Sequence, residues 1–470
     1  MTEERFVGEG EARGMNHEEG VPVSRVEAFE RMAAARAAGE TVFLPCYQSG
    51  NDRRLHVRQT LREDHQTRIH RRPQGATHKF DKLAGSLFAF FRGTALLFYR
   101  DMAGEDAWSP TVLALGDVHP ENFGVMPSAD NTPFFGVNDF DEAYYAPFTW
   151  DVKRGATGFM VAAHEQGLSK AKQEKIAECF VRGYVEGLAE YARSDREDVH
   201  QLRLDNSPPL IKALLEDSLV ERSRFLAKYL DEKRGGFRSS DELVPRTSRR
   251  EEFQRVIDGY REHAKPRDCG RAGEFKVKDV AEKLGSGTAS LGLERYYVLL
   301  EGPSRDGTDD VILELKQARR SALAGLAPPS QHKAYGTADR VVNAHAVHLV
   351  GGDPFYGKAE VDGTEYLVRE RSPYKNEIDL DELNKKEWKR YADWCGRVLA
   401  QAHARSEAGT EPDGPEVEKR ILLAIVDSDL FVHDVLEFTR EAFVRLVADH
   451  AAFERENALG AFRFADAQWK

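Results

Sequence analysis

The chain changes its hydrophobic period twice, and this limits its possible folds more than any other feature. Up to about residue 262 most apolar positions recur at helical spacing, as do Ile176, Cys179, Phe180, Tyr184, Leu188 and Tyr191. Residues 263–273 (HAKPRDCGRAG) form a Pro- and Gly-containing break. Beyond it the runs FKVKDVAEKL, LERYYVLLEG and VILELKQA look like strands, joined by a Gly-rich turn and a polar loop. A helical segment near 336–350, another strand (YLVRER) and amphipathic helices from 381 onward complete the chain. The pattern predicts an α+β molecule with a small antiparallel sheet of three strands between helical regions. It divides into an N-terminal extension over 1–77, partly disordered, a large helical lobe over 78–270, a β-rich lobe over 271–375, and helices over 376–470 that complete the large lobe.

Within the helical parts, Ser24 and Glu27 make a capping-box pattern that opens an Ala-rich helix ending at Gly39. An apolar helix is expected from about 82 to 102. Further helices are expected from Asp151 to Gly167, near 209–232 and near 248–262. With 470 residues the chain suffices for one large bilobal enzyme or several domains. The net charge of −12 provides no basic field for nucleic acid or an anionic membrane. One stretch departs from this balance. Residues 51–79 carry Arg53, Arg54, Arg58, Arg62, Arg68, Arg71, Arg72 and Lys79 against Asp52, Glu63 and Asp64. They read as a solvated basic face or mobile arm, with a phosphate-contacting patch as the alternative. The four cysteines lie far apart, without metal-ligand spacing, which argues against a zinc site or disulfide scaffold and fits a reducing cytosol. The N-terminus has no secretory-signal pattern, and the apolar run 83–98 is interrupted by Arg92. A soluble cytoplasmic protein is expected, with no nucleic-acid or membrane partner.

Two constellations carry chemistry. The first is LGDVHPENFG over 115–124, followed by FFGVNDFDEA over 134–143 and Trp150-Asp151. Asp117, Asn122 and Asp139 form the inventory that phosphoryl transfer with a metal-bound nucleotide needs. One carboxylate orients the attacking hydroxyl, and an amide and a second carboxylate hold magnesium. The plain alternative is a set of turns at strand ends, where Asp, Asn and Gly are common. The second constellation is LGSGTASLG over 284–292 between two strands, followed by Lys316 on the next strand. Backbone N–H groups of such a turn approach phosphates closely, and a strand lysine neutralises them.

The first constellation resembles the catalytic loop of aminoglycoside phosphotransferases and choline-kinase-like enzymes. That resemblance implies Asp117 as catalytic base, Asn122 and Asp139 as magnesium ligands with Asp141 a further one, and Asp151 as a buried brace of the loop. His119 would shape the loop. The turn glycines Gly285, Gly287 and Gly292, with Lys316, would hold ATP. Taken together, FAFFRG over 88–93, GDVHPENFG, NDFDEA with WDVKR, GSGTASLG with ELKQA, and LAQAHARS over 399–406 resemble the domain-of-unknown-function 2252 family of the protein-kinase-like superfamily. The implied fold is a bilobal kinase-like one in circularly permuted order, since the catalytic-loop lobe precedes the Gly-rich sheet. Either the helix near 388–405 or that at 82–102 would lead structurally into the loop.

Kinases pair the strand lysine with a helix glutamate. Residues 318–348 contain no Glu, and Asp339 is the acidic candidate. Glu314 stands where kinases place a small residue beside adenine. Arg92, inside an apolar run, is expected to meet a carboxylate or a phosphate. Arg369, Arg371 and Lys375 either line the nucleotide cleft or decorate a solvated strand edge. The expected function is ATP- and Mg2+-dependent phosphotransfer to a small-molecule or protein hydroxyl. The alternatives are a nucleotide-binding pseudoenzyme or scaffold, and a metallophosphoesterase drawing on His332, His345 and His348.

Overall fold

The computed structural model describes residues 24–194, 196–231, 235–264, 266, 270–284, 293–304, 306–332, 336–407 and 416–463. Its described part opens with helices α1 (Arg25–Ala37), α2 (Gly50–Arg71), α3 (Pro73–Ala84), α4 (Leu87–Gly93) and α5 (Ala95–Asp101). Strands β1 (Thr111–Ala114), β2 (Phe123–Pro127), β3 (Pro133–Val137) and β4 (Tyr144–Pro147) precede α6 (Phe148–Glu165), α7 (Lys170–Tyr191), α8 (Pro209–Asp217) and α9 (Arg222–Leu226). Then come β5 (Leu230–Asp231), β6 (Gly236–Phe237), β7 (Leu243–Pro245), α10 (Arg250–Ala264), β8 (Val277–Lys283), β9 (Arg295–Leu300) and β10 (Val311–Gln317). The chain continues through α11 (Ala338–His348), β11 (Gly357–Val361), β12 (Thr364–Glu370), β13 (Asn376–Glu377), α12 (Lys385–Ala404), α13 (Val417–Ile425) and α14 (Ser428–Ala458).

The molecule is mixed α+β, with several antiparallel sheets. The three predicted strands are β8, β9 and β10, and YLVRER is β12. They belong to a six-stranded antiparallel sheet of order β11-β12-β10-β9-β8-β7. Both faces of this sheet are covered. Phe253, Ile257 and Tyr260 of α10 pack with Val280, Val298, Leu313 and Leu315 on one face. Phe225, Leu226 and Phe237 pack with Ala281, Tyr297, Leu299 and Ile312 on the other. Burial on two sides explains why VILEL lacks the polar alternation of a half-exposed strand. It also means that the helix ending at Ala264, grouped with the helical lobe by sequence, belongs by its packing to the sheet.

The helical body is built around α6, α7, α12 and α14, and Phe159, Phe180, Tyr184, Tyr391 and Leu399 are fully buried in it. The apolar segment 82–102 is not one helix. Ser86 caps α4 through the Ala89 N–H, and Thr94 leaves helical geometry between α4 and α5. The basic segment is also corrected, being neither a mobile arm nor a wholly solvated face. It forms α2 and α3, with Arg53, Arg68 and Lys79 buried. Arg53 bridges Asp101 at 2.6 Å and Asp449 at 2.6 Å, and Arg54 and Arg58 share Glu456. No helix among the described residues is long and apolar enough to cross a membrane.

Candidate functional site

Strands β1 and β4 pair antiparallel, and the segment 115–122 leaves β1 to cross in front of α6. Its turn is possible because Gly116 has φ +77° and lies against the Glu142 carbonyl, where an added Cβ would come within 2.4 Å of the oxygen. Asp151, fully buried in the first turn of α6, accepts from the Leu115 N–H (2.6 Å) and the Gly116 N–H (2.9 Å). Its Oδ2 also meets His403 Nε2 of α12 at 3.0 Å, while His403 Nδ1 meets the Tyr184 hydroxyl at 2.8 Å. Three helices thus fix the start of the loop through one carboxylate. Helix α12 also touches the loop directly, through the Tyr391 hydroxyl that donates to the Pro120 carbonyl at 2.6 Å. Of the two helices considered from sequence, α4 contributes too, since the Phe88 ring meets His119 edge-on.

Asp117 Oδ1 accepts from Arg154 Nη2 of α6 at 2.8 Å. Burial pushes the Asp117 carboxyl up, and the Arg154 guanidinium pulls it back. Arg154 has no exposed surface and lies over the Phe91 and Phe98 rings. His119 Nε2 is 3.7 Å from Asp117 Oδ2, and His119 Nδ1 has no hydrogen-bond partner among the described residues. Burial, aided by Arg92 and Arg154, holds the His119 imidazole neutral. Arg92 pairs with Glu121, which meets the expectation of a carboxylate partner. The side chain of Asn122 donates Nδ2–H to the Asp117 carbonyl at 2.6 Å, which leaves its Oδ1 as the ligand atom.

The β2–β3 hairpin brings the second group to the same place. Phe123 pairs with Val137, so Asn122 and Asn138 flank the end of the ladder, and the Asn138 N–H donates to the Asn122 carbonyl at 3.1 Å. Asp139 follows at once, with its Oδ1 accepting from the Asp141 N–H. Opposite stands Lys316 of β10, which pairs with Asp141 and lies 3.8 Å from Asp139. Burial opposes ionisation of Asp139, but Lys316 and Arg369 outweigh it and hold the carboxyl below its ordinary range. Asp339, considered as the lysine's helix partner, is corrected. It stands in the exposed first turn of α11 and pairs with Lys358 of β11 at 2.6 Å. The carboxylates of Lys316 come from the acidic loop instead.

Helix α11 reaches this loop through a residue not singled out from sequence. Arg340 donates to the Ala143, Asp141 (2.8 Å) and Arg319 (3.0 Å) carbonyls. Glu142, also missed, pairs with Arg319 and accepts from the Ala322 N–H at 2.6 Å, tying the acidic loop to the chain after β10. Nothing in the sequence signals Arg340, whereas Arg154 and Glu142 stand inside motifs already picked out. Gly285, Gly287 and Gly292 lie outside the described residues. The histidines weighed for a metal centre are engaged separately: His332 stacks on Tyr145, His345 on Tyr356, and His348 Nδ1 meets the Ala402 carbonyl at 2.9 Å.

The family model for DUF2252, described as an uncharacterized protein conserved in bacteria, matches residues 71–456. The chain belongs to this family. The match runs from the end of α2 into the last turn of α14, so both constellations of this DUF2252 member lie within it. No curated protein and no solved structure matches the chain. Among the described residues no group of three or more His, Cys, Asp and Glu could hold a metal ion. Magnesium at a phosphate site takes only one or two protein carboxylates and completes its shell with water and phosphate. Asp139, held ionised, and the free Oδ1 of Asn122 fit that smaller demand. Chemically, the site offers a buried carboxylate held by an arginine, two hard oxygen donors at a hairpin end, and a lysine facing them.

Proposed function

We propose that this DUF2252 protein is an ATP- and Mg2+-dependent phosphotransferase with a kinase-like fold in circularly permuted order, acting on a small-molecule or protein hydroxyl in the cytoplasm. The observation that carries this is the contact of Lys316 with Asp139 and Asp141. It joins the two sequence constellations through residues more than 170 positions apart, and each contains what the other needs for phosphoryl transfer. Lys316 stands on the third strand after the break, with the Gly-rich segment between the first and second, as in protein kinases.

In this reading Asp117 accepts the proton of the acceptor hydroxyl, and Arg154 orients its carboxylate. Asp139 and Asn122 would hold magnesium, which would supply charge neutralisation at the phosphates. Lys316 binds phosphate oxygens once nucleotide separates it from Asp141. Arg340 takes over the task of coupling the helix of the β lobe to the metal-binding loop, and it does so through carbonyls rather than through the lysine.

Calorimetric titration with Mg-ATP tests the assignment. The wild type should bind at micromolar concentration, and Lys316→Ala and Asp139→Asn should each weaken binding by roughly 10- to 100-fold, the loss of one charged contact. Asp117→Asn should leave binding intact and lower transfer to any acceptor found by about 10²–10⁴-fold. Absence of nucleotide binding in the wild type would refute the assignment. Binding that persists without Asp117-dependent transfer would favour a nucleotide-sensing pseudoenzyme, for which the lack of a helix carboxylate on Lys316 already speaks.

A further inference from the structure

Beside Lys316 a cavity opens between the sheet and the β2–β3 hairpin. Met126, Pro127, Asn138 and Phe140 line it from the hairpin side, and Glu314, Arg369, Arg371 and Lys375 from the sheet and the segment after it. Glu314 lies two residues before Lys316 and shares its strand face. Asn138 and Phe140 flank Asp139, so the cavity borders the site above. Its walls are apolar at Met126, Phe140, Leu349 and Tyr356, and its charged lining is three carboxylates, Glu314, Asp353 and Glu370, and three cations, Arg369, Arg371 and Lys375.

Two of the lining carboxylates are answered by arginines and the third by backbone N–H groups. Glu314, with 1% of its side chain exposed, is gripped by Arg295 at 3.0 Å and by Arg369 at 2.6 Å. Glu370, wholly buried, is held by Arg222 at 2.8 Å and Arg271 at 2.7 Å. Asp353 accepts two backbone N–H groups, from Phe355 and Glu370. Two cations remain. Arg371 rests its Nε on the Tyr229 hydroxyl at 3.4 Å and makes no ion pair among the described residues. Lys375 pairs with Glu377 at 3.3 Å, outside the lining. Glu314 holds Arg369 at 2.6 Å, and its charge favours the ionised form of Arg371.

We infer that this cavity is an oxyanion subsite in which Arg371 and Lys375 hold a phosphate group of a bound substrate, with Arg369 fixed by Glu314 behind them. It deepens the phosphotransferase assignment and rests on that assignment only for the origin of the phosphate. Two origins are open to test: the phosphate chain of the nucleotide itself, lying in the place of the base, or a phosphorylated acceptor.

The experiment is titration of the full chain with pyrophosphate, in the absence of nucleotide. Wild-type protein should bind it, and Arg371→Ala and Lys375→Ala should each weaken binding tenfold or more while Lys358→Ala, a lysine that does not line the cavity, leaves it unchanged. Thermal unfolding of each variant verifies folding. Should Arg371→Ala not fold, Lys375→Ala and Arg371→Gln carry the test. Displacement of pyrophosphate by ATP would assign the phosphate to the nucleotide, and simultaneous binding of both would assign it to the acceptor. Pyrophosphate binding that depends on Arg371 in a protein that ignores ATP would leave the subsite standing and remove the phosphotransferase assignment. No binding by the wild type, or binding indifferent to both substitutions, overturns the inference.

Discussion

Asp151 shows how one side chain can decide the shape of a loop that carries function. Both of its oxygens are committed, to two consecutive backbone N–H groups and to His403, in a place without access to water. Replacing it by Asn removes the charge and one acceptor oxygen and forces an N–H2 group toward a donor. A buried donor left unmatched costs about 1–3 kcal/mol. Asp151→Asn should therefore lower stability by that order and speed amide hydrogen exchange at Leu115 and Gly116 selectively. Exchange that quickens equally across α6 would mean that the residue serves global stability and not the loop. The role expected of Asp151 from sequence agrees with its contacts here. Arg154 is different. It lies three residues on, in the same motif, yet only the fold reveals that it aims at Asp117 across an aromatic bed.

Among the elements, the crossing of α7 and α12 is the tightest. An added Cβ on Gly396 would come within 2.1 Å of the Phe180 carbonyl, and one on Gly183 within 2.2 Å of the Asp393 carbonyl. The neighbours are backbone, which cannot step aside without separating the helices. Gly396→Ala is expected to destabilise by at least 1–3 kcal/mol, the usual range for overpacking, although alanine favours an isolated helix. Denaturant unfolding measures it. A neutral or stabilising result would show that the two helices are free to part. Because α12 carries both Tyr391 and His403, the same variant should also loosen the 115–122 loop. The periodicity of both helices was visible in the sequence. Their closeness was not, since a lone glycine in a helix reads only as a weak point.

At the scale of the whole molecule, buried neutral histidines set the response to acid. His56, His65, His119, His345 and His348 are all buried, and burial lowers each below its ordinary value, to about 2 for His56, 3 for His345 and 4 for His348. Unfolded histidines take up protons near 6.5, so from there downward the unfolded chain binds more protons and stability falls as pH falls. Each histidine kept neutral contributes a slope of about 1.4 kcal/mol per pH unit within that window. Carboxyls raised by burial work in the opposite sense, Asp353 at about 6 and also Asp117, Glu121, Asp393 and Asp449. The unfolding temperature should be clearly lower at pH 5 than at pH 7. An equal or higher value at pH 5 would mean that these histidines take protons in the folded state. Helices near the start of the described chain pack on its last one: Arg53 reaches Asp449, and Phe80 stacks on Phe462 just beyond it.

The sequence by itself determined what depends on short-range pattern. The helix starting at Arg25 and the strands β8 to β10 are local in origin. Periodicity, turn residues and capping suffice for them. Only the tertiary structure decided matters of pairing between distant residues. The basic run of α2 was read as solvated because its acids, Asp101, Asp449 and Glu456, lie up to 402 residues away. For Lys316 the sequence offered Asp339 as the candidate helix carboxylate, yet its partners come from the loop 175 and more residues before it. A buried charge must be met by an opposite charge whatever its distance along the chain, and sequence spacing carries no record of that distance in space.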